Sequence, residues 1–281
     1  MKTLLTTFAF LIVISLNAQE FQGKAIYKTS RKSNFKIGGG KNSTMSEKQT
    51  KALEARLKKM NQKTFILKFD RVASTYKEDV KLKAPKPNVG GANVMVMSLG
   101  GSGSTDVYYK NIKEKRFVNQ TEIMGKRFLV KDQLAPINWE MTTETKNIGK
   151  YTCYKATYSR EVENTTISMV DGEAKEVKKT ETIVTTAWYT PQVPISNGPK
   201  NYQGLPGLIL EINDGKNTIV CTEIVLNPSD TIMIDEPTKG KVVTQEKYEK
   251  ISEEKSREMM EKFKSRRGVD LGNGVNIKIG G

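Results

Sequence analysis

Residues 151–190 read YTCYKATYSREVENTTISMVDGEAKEVKKTETIVTTAWYT, two long runs rich in Thr, Tyr, Val and Ile on either side of Asp171-Gly172. β-branched and aromatic side chains suit a pleated strand, and an Asp-Gly pair suits the positive φ angles of a type I′ hairpin. Folding the runs about that pair sets Ala156 opposite Ala187 and Tyr154 opposite Tyr189. The stretch therefore predicts one antiparallel ribbon from Tyr151 to Thr190. Its distal part, Arg160–Glu181, is rich in Glu, Lys and Thr and has little to bury, so the tip is expected to protrude into solvent. Two-stranded ribbons are only marginally stable alone, which makes the tip a mobile segment or a contact surface.

The same logic extends outward. A second pair, Asp214-Gly215, taken as a two-residue turn, places Ile212 opposite Asn217, Leu210 opposite Ile219 and Leu208 opposite Cys221. One face of that hairpin is then Leu208, Leu210, Ile219 and Cys221, so Cys221 points into the core. Lys24–Thr29, Thr64–Phe69 and Val72–Tyr76 read as strands, the last two joined at Asp70-Arg71. From Thr105 to Asp132 three runs, DVYYKNI, KRFVNQTEI and KRFLVKD, read as a meander broken at Lys113-Glu114 and Met124-Gly125. Pro136 and Trp139 interrupt the pattern before Tyr151. Helical periodicity occurs at Ser46–Met60, through Leu53, Leu57 and Met60. It recurs at Lys247–Arg266, through Tyr248, Ile251, Met259 and Phe263, with Lys255 breaking the stripe. The expected fold is mainly β (α+β): a curved antiparallel sheet or half-open barrel with two covering helices and a protruding β-ribbon. Residues 19–267 form a single domain, and the glycine-rich stretch 268–281 is expected to be a flexible tail. Ala84–Ser104, with two prolines and five glycines, reads as a long irregular loop inside that domain.

Composition excludes several chemistries. The 281 residues hold 46 Lys and Arg against 31 Asp and Glu, a net charge of +15, and no histidine. Ser-His-Asp and Cys-His nucleophilic machinery, HExxH zinc sites and haem ligation by histidine are therefore impossible. The two cysteines cannot supply a four-thiolate zinc cluster. Met95 and Met97 could offer soft thioethers to Cu(I), but without cysteine or histidine beside them they read as loop or core residues. The glycines lack the spacing of a phosphate-binding loop. No cofactor and no metal are expected.

Residues 1–18, MKTLLTTFAFLIVISLNA, have the order of a secretory signal: a basic residue, an apolar run from Leu4 to Leu16, then small Ala18 before Gln19-Glu20. The run is shorter than the ~20 residues of a spanning helix, and cleavage after Ala18 is expected to lower the net charge by one. The mature chain is thus expected in the periplasm or on the extracellular or outer envelope surface, with no transmembrane segment after cleavage. An oxidising compartment permits a Cys153–Cys221 disulfide, which over a loop of about 70 residues would gain roughly 4 kcal/mol in the chain-entropy account. Two buried thiols are the other reading. Outside the cytoplasm the positive charge points to a solvated surface favouring anionic lipids rather than to nucleic acid.

Residues 204–209 read Gly-Leu-Pro-Gly-Leu-Ile. Before them stand Phe128–Asp132, Trp139, Glu144, the block Ile148–Ala156, Ala187-Trp188-Tyr189-Thr190, Pro194 and Gly198-Pro199, in that order. This series resembles the GLPGLI family of exported Gram-negative bacterial proteins, named for the hexapeptide, over about residues 22–226 and most densely over 128–211. Arg160–Thr180 is longer than the family pattern, and the resemblance implies nothing beyond about Leu226. It implies a cell-envelope compartment and no assigned biochemical activity. Physically, Gly204 and Gly207 bracket Pro206 as a structural corner that delivers Leu208, Leu210 and Ile212 to one face. An anion-binding loop of exposed N–H groups is the less favoured alternative.

The expected function is a non-enzymatic binding or accessory module for a protein, peptide or lipid partner in the cell envelope, with no catalytic residues. The alternative is a carboxylate-dependent hydrolase drawing on Asp132, Glu140, Glu144, Glu211 and Asp214, two of which would have to lie ~5–9 Å apart. Asp214 is better explained by its turn, and Glu211 by the outward face of its hairpin.

Overall fold

The computed structural model describes residues 21–31, 62–80, 106–170, 173–267 and 276–279, with side chains described outside 164–178 and 259–279. The predicted signal segment 1–18, the helix Ser46–Met60, the loop Ala84–Ser104 and the turn Asp171-Gly172 lie outside the described residues.

Among the described residues thirteen strands form one sheet. In chain order they are β1 (Gly23–Arg31), β2 (Lys63–Phe69), β3 (Ala73–Glu78), β4 (Val107–Asn111), β5 (Arg116–Ile123), β6 (Lys126–Gln133), β7 (Glu140–Ile148), β8 (Tyr151–Val170), β9 (Glu173–Thr190), β10 (Leu208–Asn213), β11 (Asn217–Leu226), β12 (Lys241–Val243) and β13 (Asn276–Ile279). Their lateral order is β12-β6-β5-β4-β3-β2-β1-β11-β10-β9-β8-β13, with β7 also on β8. The mainly β class is as expected, but the sheet is open and mixed, because β12 runs parallel to β6.

The ribbon has the predicted register, Tyr154 opposite Tyr189 and Ala156 opposite Ala187. The Asp214-Gly215 hairpin does not. Ile212 faces Ile219, and Asn213 faces Thr218. Asp214 precedes the turn instead of occupying its centre: its Oδ1 accepts the N–H groups of Lys216 (3.0 Å) and Asn217 (2.5 Å). This Asx-type cap moves the central pair to Gly215-Lys216. A shift of two residues preserves strand parity, so Cys221 still enters the core as predicted.

Of the two covering helices expected, Ser46–Met60 lies outside the described residues. Among the described residues there is one helix, α1 (Gln245–Arg267), which packs against β5, β6 and β12. Thr244 caps it, Oγ1 accepting from Lys247 N at 3.3 Å, while Asp132 Oδ2 accepts from Gln245 N at 3.0 Å. A carboxylate beside the first N–H groups suits the positive end of the helix dipole. Tyr248 and Ile251 then pack on Phe117, Phe128, Val130 and Val243 at one edge of the sheet. Residues 276–279, assigned from sequence to a flexible tail, pair with Thr165–Ser168 of β8.

The main core lies on one face of the sheet. Register carries Tyr27 to Phe65, Ala25 to Leu67 and Gly23 to Phe69, then Phe69 to Ser74 and Ser74 to Lys110. The Phe65 and Tyr76 rings stack at 4.8 Å, and Tyr27 meets Tyr76 edge-on. β9 and β10 are antiparallel neighbours, yet the connection between them is not a tight turn. Residues 191–207 travel back over this face and seat Val193, Ile195 and Leu205 in the core.

Lys110 is the charged exception on that face, fully buried and, among the described residues, without a carboxylate partner. Its Nζ donates to Gly198 O at 2.7 Å and to Tyr202 O at 2.9 Å, which ties β4 to the overlying excursion. Burial holds its pKa well below the ordinary lysine value of 10.5. A neutral amine has two N–H groups, enough for both carbonyls. Because the folded pKa lies below the unfolded one, protonation favours unfolding. Stability should therefore rise as pH climbs from the folded pKa towards about 10, above which the buried tyrosines Tyr27, Tyr76 and Tyr108, held neutral by burial, reverse the trend. Thermal melts of Lys110→Met across the same pH window should lose that rise. A variant that retained it in full would remove Lys110 as its source.

Candidate functional site

The excursion 191–207 is built around the predicted corner. Gly204 takes φ +95° beneath the Trp139 ring, a conformation strained for other residues. A Cβ on Gly207 would fall inside the Thr190 carbonyl. Leu205 fills the core between them, and Tyr27 Oη donates to Ile209 O at 2.7 Å. The corner's N–H groups are used internally: Gly204 N donates to Ser196 Oγ, Gly207 N to Leu205 O, Leu208 N to Val193 O and Ile209 N to Asn197 O. Residues 204–209 thus work as a structural corner, with no open cradle of N–H groups for an anion.

Other singled-out residues support this corner. Trp139 Nε1 donates to Gln203 O at 2.8 Å, and its ring packs against Tyr158 and Tyr202. Gly198 lies against Ile209, where a Cβ would approach to 2.8 Å, and the Pro199 carbonyl accepts from Tyr202 N. Tyr189 is buried with its hydroxyl on Met141 Sδ at 3.6 Å. Trp188 lies under Lys146 Nζ, 4.4 Å from the ring centroid.

The five candidate carboxylates have different partners. Asp132 caps α1, Glu144 pairs with Lys155 at 2.7 Å, and Glu211 pairs with Lys146 at 2.7 Å. Glu140 is exposed on β7. Asp214 belongs to its turn: burial alone would raise its pKa, but hydrogen bonds from Asn217 and Lys216 and the charge of Arg160 outweigh it and lower the value. Among the described residues no group of three or more acidic or cysteine side chains is placed to hold a metal, and no helix is long and apolar enough to cross a membrane.

Cys153 and Cys221 are buried free thiols on β8 and β11, with β9 and β10 between them in the sheet order. Each donates to a nearby carbonyl, Cys153 to Tyr151 O and Cys221 to Glu223 O. Burial raises their pKa values to about 11 and about 12.

The feature that sequence reading missed is a cavity of about 210 Å³ lined by Asp70, Arg71, Ile112 and Pro194–Asn197. Asn197 is 2% exposed and held on every side but one. Its N–H donates to Ile195 O, and its carbonyl accepts from Ile209 N at 2.9 Å. Its Oδ1 accepts from Gly198 N at 2.8 Å and from Ser74 Oγ at 3.3 Å. The Gly198 N–H fixes which end of the amide is oxygen, so among the described residues the Nδ2 donors have no partner, and Asn197 lines the cavity. Asp70 Oδ1 accepts from Val72 N and Ala73 N, both at 2.6 Å, which leaves Oδ2. Arg71 sits over Phe21 at 5.5 Å, without an ion-pair partner among the described residues. Ser196 Oγ accepts from Gly204 N and keeps its own proton to donate. The only hint in the sequence was a polar Ser-Asn pair between apolar Ile195 and Gly198-Pro199.

The fold and site define an open, mixed β-sheet protein whose inner face is crossed by a pinned corner, with a small polar cavity beside it. Residues 139–211 match the model of a family described as "Protein of unknown function (Porph_ging)", a segment that contains the hexapeptide. The chain is similar to two solved structures, "Structure of PNGF-II in C2 space group" and "Structure of PNGF-II in P21 space group". The identities are 12% and 15%, each with a TM-score of 0.47 and 84% of this chain covered. It spans about a third of those chains, 33% and 34%. No curated protein matches the sequence.

Two outcomes are expected. Gly207→Ala should lower stability by about 2–4 kcal/mol, because backbone must move to admit the methyl; a shift in denaturant midpoint reads this. In native protein at mildly alkaline pH a small alkylating reagent should leave both cysteines unlabelled until denaturant is added, as measured by mass spectrometry.

Proposed function

We propose that this chain is a non-enzymatic binding or accessory module of the cell envelope, exported by its N-terminal segment and engaging a protein, peptide or lipid partner. The observation that supports this reading is the Asn197 side-chain amide, pinned through Oδ1 in the lining of a cavity, with no partner for its Nδ2 donors among the described residues. A donor already fixed in place loses little conformational freedom when a ligand accepts from it, so a rigid site of this kind is consistent with a ligand that completes the hydrogen bonds. A carboxylate-dependent hydrolase would require a free pair of facing acids, whereas Glu211 and Glu144 are engaged in ion pairs, Asp132 in a helix cap and Asp214 in a turn.

In cells, crosslinking followed by mass spectrometry should enrich at least one envelope protein or lipid over a secreted control of similar charge. Equal recovery from both would defeat the binding reading.

A further inference from the structure

The chemistry of the Asn197 cavity narrows the ligand, on the premise that the chain is a binding module. The cavity lining includes three kinds of donor: the Arg71 guanidinium, the Asn197 Nδ2 group and the Ser196 hydroxyl. Only Arg71 is charged among them, and a planar guanidinium together with an amide suits a planar, two-oxygen anion. The lining also includes one acceptor, Asp70 Oδ2, whose partner oxygen is already engaged by the β2–β3 turn. Ile112, Pro194 and Ile195 supply apolar wall. At about 210 Å³ the cavity is smaller than the ~300–1,000 Å³ of drug-sized sites.

We infer that this cavity receives the α-carboxylate of an amino-acid unit, with Arg71, Asn197 and Ser196 donating to the carboxylate and Asp70 accepting from the adjacent N–H group. The apolar side chain of that unit lies against Ile112, Pro194 and Ile195. Two sources carry this chemistry, the C-terminal residue of a peptide and a free amino acid. Arg71 brings the charge, and Asn197 sets the geometry. Because its backbone N–H and carbonyl, together with Oδ1, are all fixed by other parts of the fold, Nδ2 has little freedom to turn away.

The test uses the whole chain and three probes: the tripeptide Ala-Ala-Leu with a free C-terminus, the same peptide amidated, and free leucine. Binding is followed by calorimetry and by the side-chain amide resonance of Asn197 in a proton–nitrogen correlation spectrum. The free-acid peptide should bind saturably and move that resonance, and amidation should weaken it at least about tenfold. Arg71→Gln, at an exposed position, should cause a similar loss. Asp70→Asn keeps the turn-capping oxygen and should weaken binding a few-fold. Leucine binding as well as the peptide would assign the site to free amino acids. Amidated peptide bound as tightly as the acid, an unmoved Asn197 resonance at saturation, or wild-type affinity in Arg71→Gln would each overturn the inference. A partner recovered by crosslinking alongside any of these results would leave the binding reading standing while removing the carboxylate site. The reverse pattern would remove the macromolecular partner alone.

Discussion

One buried amine organises the interior. Lys110 lies on a largely apolar face, and among the described residues it has no acid to pair with. Its only means of avoiding an unsatisfied group is to find carbonyl oxygens, and those of Gly198 and Tyr202 are supplied by a segment that must cross the sheet to reach it. Once that segment is in place, Leu205 has a position to fill, Gly207 must lack a side chain to pass Thr190, and Trp139 has a carbonyl, that of Gln203, to bond. The hexapeptide is therefore one end of a longer structural unit whose other anchor is on β4, about a hundred residues earlier.

Most of the sheet was legible because its strands are written in alternation or bounded by turns with distinctive chemistry. The ribbon register followed from Asp171-Gly172 and the central Ala pair. The same dipeptide misled at Asp214-Gly215, since Asn213 and Asn217 join Asp214 in capping and move it one place along the turn. β7 escaped notice because it is an edge strand with almost no buried side chains, so it carries no apolar stripe. β12 has only three residues and is held by parallel pairing to β6, a partner that no local signal could indicate.

The site was less legible, and for a different reason. Asp132, Trp139 and the glycines were visible as a series of motifs, and the structure explains them through caps, packing and close approach. The cavity depends on Asp70-Arg71 and on Pro194–Asn197, which lie more than a hundred residues apart and meet only after the excursion folds over the sheet. Asn197 is ordinary in composition; what distinguishes it is that every other polar atom it carries is already engaged. Absence of histidine removed the common routes to catalysis, but it could not point to an amide.

The lateral order of the strands also governs when the protein can become complete. β1 stands between β2 and β11, so Gly23 is paired with Phe69 on one side and with Leu226 on the other. As the chain is made from its N-terminus, the meander from β2 to β6 can form from local contacts, but one edge of β1 stays open until β11 has been synthesised. Closing such a distant pair carries a loop-entropy cost before any contact repays it. The meander and the β8–β9 ribbon are in effect two semi-independent modules, and their union by β1 and β11 is a late event. Until then the inner aromatic face is exposed to water and to other chains, so the early chain depends on its charge, and on whatever escorts it, to remain apart from its neighbours.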